Sequence, residues 1–309
     1  MPDLLKKVDM SLLHTIADMD SMPTGAFNIR KNGQGIARQS SENITIEPKK
    51  GNPGIDIYIK PFTKGEEVHI PVIITETGIN DKVYNDFYVG EDADVTIVAG
   101  CGIHNGGDKK SEHDGIHRFF LEKNARVKYI EKHYGTGDGS GERVLNPTTE
   151  VTLGEGSTME MDTLQIKGVD STVRTTRAKL AAGSTLVIHE KIMTHGKQTA
   201  KTDFTVDMDG EDSHASVVSR SVARDSSHQV FLSKINGNNR CTGHTECDAI
   251  IMDHGSVSAI PELTANHIDA SLIHEAAIGK IAGEQLIKLM TLGLTEHEAE
   301  EQIISGFLK

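Results

Sequence analysis

The segment Cys241-Thr242-Gly243-His244-Thr245-Glu246-Cys247-Asp248 sets two thiols, an imidazole and carboxylates within eight residues. Such soft and borderline donors suit iron–sulfur or zinc chemistry. The C-x5-C spacing matches no standard zinc or ferredoxin motif, and Cys247, close to Ile250-Ile251, also fits a small buried hydrophobe. Downstream, His274-Glu275 pairs an imidazole with a carboxylate, an arrangement that equally suits charge placement at the start of a helix. His104, His113 and His117 fall on a Gly/Asp-rich stretch without H-E-x-x-H spacing, and are expected on an exposed loop. The third cysteine, Cys101, makes the count odd, so reduced thiols are expected rather than a disulfide framework.

Other chemistries lack their signatures. No Gly-x-x-x-x-Gly-Lys-Ser/Thr loop, no strand-Gly-x-Gly-x-x-Gly-helix unit and no Gly-x-Ser-x-Gly elbow is present. Gly135-Thr136-Gly137-Asp138-Gly139-Ser140-Gly141 is glycine-rich, but no helix follows to supply phosphate-binding amides, and it is expected to be a flexible loop. The net charge of −13 and the absence of a Lys/Arg run disfavour nucleic acid as a partner. Aromatic residues make up only 4% and Trp is absent, which disfavours sugar-binding and base-stacking platforms. No apolar run approaches the roughly 18 residues of a membrane span. The N-terminus lacks the apolar block of a signal peptide, so the expectation is a cytoplasmic chain with no membrane partner.

The elements that must position these residues follow from periodicity. Leu4, Leu5, Val8, Leu12, Leu13 and Ile16 recur at helical spacing, predicting an amphipathic helix over residues 3–19 that Pro23-Thr24-Gly25 stops. From there to about residue 260, short β-rich runs alternate with Gly, Asn and Asp. Five segments share one form, a polar turn followed by an alternating strand. Their turn positions Asp92, Asn124, Gly156, Gly183 and Asp212 lie 32, 32, 27 and 29 residues apart. A supersecondary unit at such a period is the mark of a solenoid, and the lack of helical patterns between units favours a β-helix. A β-sandwich with similar hairpins is the alternative.

Beyond residue 270 an apolar stripe over Ile273–Met290 predicts a helix ending near Gly293. Thr295-Glu296-His297-Glu298 opens a second as a capping box. The pair could be a docking surface or a cap on the open end of the solenoid. The expected fold class is therefore all-β. A helical segment over 1–25 precedes a parallel β-helix core over 26–270, and a helical segment over 271–309 follows.

The stretch Glu246-Cys247-Asp248-Ala249-Ile250-Ile251, then Gly255, Pro261, His274-Glu275-Ala276, Gly279-Lys280-Ile281, Glu284-Gln285-Leu286, Gly293-Leu294 and Gly306-Phe307, resembles the C-terminal signature of the SufB/SufD family. These are scaffold proteins of iron–sulfur cluster assembly. Val89 to Thr96 leading to Ala99-Gly100-Cys101, then His117 and Lys123 to Tyr129, resembles the SufB form. The resemblance covers roughly residues 50–309 and leaves 1–50 unassigned.

It implies a right-handed parallel β-helix without catalytic turnover. Such proteins pair through the β-helix and bind a SufC-like ABC-type ATPase through the C-terminal helices. By resemblance Cys101 accepts sulfur from a donor protein, Cys247 holds the nascent cluster, Glu275 contributes to that site, and His274 matches the interface histidine of SufD-like partners. All four on one chain suggest a homodimer in place of the two-subunit pair, with a paralogous partner as the alternative. The chain is shorter than typical SufB, and Cys241 has no counterpart in the pattern. No motif supports a flavin. The rival functions are a β-helix polysaccharide lyase or hydrolase, and a structural solenoid without cluster chemistry.

Overall fold

The computed structural model describes residues 5–309, Ile166 by its backbone alone. Helix α1 (Lys7–Ala17) comes first, shorter than its apolar stripe predicts, and Leu4 of that stripe lies outside the described residues. An antiparallel start follows, with β1 (Ala26–Lys31), β2 (Gln34–Gln39), β3 (Ile44–Pro48) and β4 (Gly54–Ile59). The chain then coils. The early coils hold β5 (Lys64–Ile74), β6 (Asn80–Val89), β7 (Asp94–His104), β8 (Ser111–Leu121), β9 (Arg126–Thr136) and the split pair β10 (Arg143–Leu145) and β11 (Thr148–Leu153). The later ones hold β12 (Thr158–Lys167), β13 (Ser171–Leu180), β14 (Thr185–Thr194), β15 (Thr199–Met208), β16 (Ser213–Ala223), β17 (His228–Gly237), β18 (Cys241–Ile251), β19 (Ser256–Ala265) and β20 (Ala270–Gly279). Two helices end the chain, α2 (Gly283–Thr291) and α3 (Glu296–Phe307).

Successive coils stack strand on strand in parallel, and about eight turns form a β-solenoid. One sheet runs β2-β1-β5-β7-β9-β12-β14-β16-β18-β20 and the other β19-β17-β15-β13-β10-β8-β6-β4-β3, with β11 bridging β13 and β8. The turn positions read from the repeat are the corners. Asp92, Asn124, Gly156, Gly183 and Asp212 all have positive φ, between 54° and 65°. Gly takes that region freely, and Asp and Asn tolerate it because their short side chains bond locally. A second column of corners, Gly168, Gly196, Asp225 and Asp253, turns the chain from the first sheet into the second. Inward residues alternate with outward ones along the coils and build a long main core, in which the Phe87 and Phe119 rings stack at 4.3 Å, and a smaller separate cluster around Cys101.

Helix α1 lies on the outside of the first sheet. Its Leu12, Leu13 and Ile16 pack with Phe27, Ile29, Ile73 and Val98, and its buried Asp9 is held by Lys31 at 2.7 Å. At the other end the sequence reading needs correcting. Residues 270–279, expected to begin a helix, form strand β20 in register with β18. Leu272 and His274 face inward while Ser271, Ile273 and Glu275 face out, and the parallel ladder supplies the backbone bonds that a helix would have made. The two terminal helices form as expected, α3 with the Thr295–Glu298 capping box and Gly293 at φ 99° after α2. They do not cap the solenoid. Helix α3 lies along its side, where Glu301 pairs with Arg224 at 2.6 Å, so β19 and β20 remain the outermost strands with exposed faces. Among the described residues no helix is long and apolar enough to cross a membrane.

Candidate functional site

Cys101 points into the solenoid from β7, between Val72 on β5 and His133 on β9 in the same ladder row. On one side its neighbours are apolar: Ile74, Ile103, Leu145 and Val169. On the other stand His113 and His133. These histidines are a second correction, because His113 and His117 are not on an exposed loop. They lie on β8, facing inward and buried. The signal was present in the alternation Ser111, His113, Gly115, His117, Phe119, Leu121, which continues into core aromatic and aliphatic residues. His133 and Asp81 were not singled out at all.

Asp81 pairs with His113 directly across the β6–β8 ladder, and its carboxylate contacts His113 Nδ1 at 3.1 Å and accepts from Arg30 at 2.8 Å. Burial alone would raise the carboxyl, but His113 and Arg30 outweigh it and hold Asp81 down at about 2. The other ring nitrogen of His113, Nε2, is buried with no hydrogen-bond partner. Burial lowers this imidazole, yet the Cys101 and Asp81 charges prevail and raise it to about 10. Reciprocally, burial pushes the Cys101 thiol up while His113 and His133 pull it down, and it settles lowered, at about 7. The arrangement favours a buried thiolate beside an imidazolium that a carboxylate orients, which makes a cysteine nucleophilic.

From this chamber a file of polar side chains runs through the core. His133 Nε2 lies 3.6 Å from Glu131, and Glu131 is paired to Arg174 on β13. Arg174 reaches Glu190 on β14 at 3.5 Å, and Glu190 accepts from Thr202 at 2.9 Å and from Ser219 on β16 at 2.7 Å. Ser219 is the ladder neighbour of Cys247. Against the desolvation of full burial, Arg174 and His133 hold Glu131 well below the usual carboxylate range. For Glu190 burial wins over Arg174, and its carboxyl is raised. Burying so many charges is costly even when they are paired, and perturbed groups of this kind cluster at functional sites.

Cys247 is 1% exposed on the inner face of β18. Burial, then the Glu190 and Asp248 charges, push its thiol up to about 12. His274 on β20 faces the same interior beside Thr245, and its Nδ1 is buried without a partner. Glu275 faces the opposite way. It stands on the outside of the sheet with Glu246 and His244, whose Nε2 is 3.7 Å from it. The structure thus brings Cys247 and His274 to one face and leaves Glu275 on the other. Cys241 also faces inward, but six residues from Cys247 along one strand, roughly 20 Å away. Cys101 is five ladder steps from β18, about 24 Å. All three cysteines are free. Two outward groups bring ligand atoms within 4.8 Å of one another and could hold a cation: His244 with Glu246 and Glu275, and Glu160 with Asp162 and His189.

A family model described as SUF system FeS cluster assembly, SufBD core domain, matches residues 84–307, which include Cys101, both chamber histidines and Cys247. An iron–sulfur cluster assembly SufBD family protein of Methanocaldococcus jannaschii is 28% identical over 285 residues, 91% of this chain and 89% of that one. Proteins of the same description from Archaeoglobus fulgidus and Methanothermobacter thermautotrophicus are each 28% identical. They are covered over 66% and 57% of their own lengths, by 79% and 77% of this chain.

Proposed function

The chain belongs to the SufBD family of iron–sulfur cluster assembly proteins, and from that premise we propose that it is a scaffold subunit on which a nascent cluster is built and passed on. It has no catalytic turnover of its own. Cys101 receives sulfur, and Cys247 with His274 holds cluster iron at the open end of the solenoid. Glu275 joins them only from the outer face of the same strand.

The observation that carries this reading is the pairing of an activated buried thiol with a file of charged side chains leading to a second cysteine. An inert solenoid would have no reason to bury Glu131, Arg174 and Glu190 where apolar residues pack more cheaply. A solenoid that cleaves polysaccharide would present its perturbed acids on a groove open to the polymer, whereas here Asp81, Glu131 and Glu190 are buried.

Cluster is cargo in this reading, and the donors fit it. A single thiolate with an imidazole binds iron less firmly than a cage of four thiolates, which favours release. The resting thiol of Cys247 must lose its proton to ligate iron, so cluster loading is coupled to proton release. The exposed strands β19 and β20 offer unpaired edges to a second copy of the chain, which would close the end beside His274. Helices α2 and α3, with Ile278, Ile281 and Phe307 around a hollow of about 750 Å³, are the docking surface for an ABC-type ATPase. Closure of two attached ATPases would strain the dimer edge and open the site, a switch between two states with different contacts.

The test is iron and acid-labile sulfide on protein isolated anaerobically, beside Cys247→Ser. Both should be present in the parent and lost in the variant. Parent protein that stays free of iron and sulfide after reconstitution with the ATPase would refute the scaffold role.

A further inference from the structure

If Cys101 receives sulfur, the donor must reach a thiol that is 7% exposed and faces the interior. The wall behind it is closed. Gly100 and Gly102 lie under α1, and a Cβ on Gly100 would meet the carbonyl oxygen of Ile16 at 2.3 Å. A different route opens at the corner where the first sheet turns into the second. A groove of about 520 Å³ runs there between the loop after β9 and the corners after β12 and β14.

This groove adjoins the chamber. Val169 lies between the groove residues Gly168 and Asp170 and packs in the same buried cluster as Cys101. Gly135, also in the groove, is two residues beyond His133. The partition between them is backbone against backbone. A Cβ on Gly135 would meet the Gly168 oxygen at 1.9 Å, and one on Gly168 would meet the Gly135 oxygen at 1.9 Å. Beside it the β9–β12 ladder slips between Gln165 and Lys167, an irregularity of the kind over-represented next to active sites.

The charge of the groove is selective. Arg143 is neutralised by Asp170 at 2.8 Å. Lys167 and Lys197 are exposed and have no ion pair among the described residues. Three cations face two carboxylates, Glu142 and Asp170, on a chain whose net charge is −13. The excess is one positive charge, carried by the two unpaired lysines, and a local cationic excess on an acidic protein attracts anions and raises their rate of arrival.

We propose that this corner groove is the port through which a sulfane-sulfur anion, a persulfide or polysulfide, reaches Cys101, with Gly135 and Gly168 as its inner gate. The inference rests on Cys101 as sulfur acceptor and deepens that reading by giving the sulfur a route. The chemistry balances within the chamber. The Cys101 thiolate attacks the terminal sulfur of R–S–S⁻ and the donor S–S bond breaks. R–S⁻ leaves, and the His113 imidazolium gives its proton to the transferred sulfur. Cys101 becomes a persulfide, His113 becomes neutral, and nothing is oxidised overall.

The test uses full-length protein with Cys241→Ser and Cys247→Ser, so that Cys101 is the sole thiol. Sodium polysulfide and glutathione persulfide are supplied anaerobically, and the added sulfur mass on Cys101 is followed in time. Neutral, anionic and cationic methanethiosulfonates of similar size give a second readout of access. The anionic reagent should outpace the cationic one. Lys167→Glu with Lys197→Glu should reverse that order and slow sulfur uptake at least about tenfold, with the Lys→Gln pair between. Modification by glutathione persulfide alone would assign the cargo to a thiol-borne donor, and modification by both reagents to the shared anion chemistry. Sulfur uptake at equal rates in parent and Lys→Glu protein would overturn the port while leaving Cys101 an acceptor. Labelling by methanethiosulfonates without sulfur uptake from either donor would overturn the acceptor reading itself, and the port with it.

Discussion

Toward one end of the solenoid interior Cys101 faces two imidazoles, one of them backed by a carboxylate. At the other, Cys247 faces Ser219 and the field of two carboxylates. Both are buried, and burial acts on both in the same direction. What separates them is the sign of the neighbouring charge: His113 and His133 draw the first thiol down to about 7, while Glu190 and Asp248 add to burial and carry the second to about 12. One fold therefore holds a thiol that ionises near neutrality and a thiol that stays protonated until something displaces its proton. Arg174 stands between them and is shared by the file that joins the two ends.

The largest disturbance of this contrast should come from that shared residue. Arg174→Ala leaves Glu131 with His133 alone and Glu190 without a cation, and should cost about 3–5 kcal/mol in urea unfolding, with Arg174→Lys recovering part. Next comes the orienting pair. His113→Gln should move the Cys101 titration, followed by ultraviolet thiolate absorbance in protein lacking the other cysteines, upward by about one unit or more. Cys247 should not respond to it.

Asp81 supplies a pH signature. Its folded carboxyl lies at about 2 against an ordinary 3.8, so the stability it contributes is present above 3.8 and is lost as pH falls through about 2. Urea midpoints of the parent should therefore drop across that window, and those of Asp81→Asn should lack this component. The smallest effect is expected at Cys241. It is distant from both sites, so Cys241→Ala should leave iron and sulfide content unchanged and cost about 1 kcal/mol, as the loss of one buried sulfur would. Loss of cluster in that variant would place Cys241 among the ligands.

Much of this architecture was legible beforehand. The turn positions of the repeat all proved to be left-handed corners, because a parallel coil needs that backbone conformation at the same place in every turn. The capping box of α3 and the glycine after α2 are local signals and were read correctly. Strand β20 was misread because Ile273 and Ala277 fit a helical stripe as well as a strand. What decided between them was the β18 ladder beside it, which no local pattern contains. The Cys101 chamber was half legible. Its cysteine came from a resemblance, but Asp81, His113 and His133 lie on three different strands and meet only through the stacking of coils. The opposite facing of His274 and Glu275 follows from a strand period of two, which the helical reading concealed.

The central claim is that the interior assigns the two ends different roles, attack at Cys101 and ligation at Cys247. It is tested most directly by offering glutathione persulfide to the otherwise unaltered protein near pH 7 under anaerobic conditions and mapping the added sulfur by peptide mass. The account expects the persulfide on Cys101, with Cys241 and Cys247 unmodified. Sulfur appearing first on Cys247, or equally on all three cysteines, would contradict it.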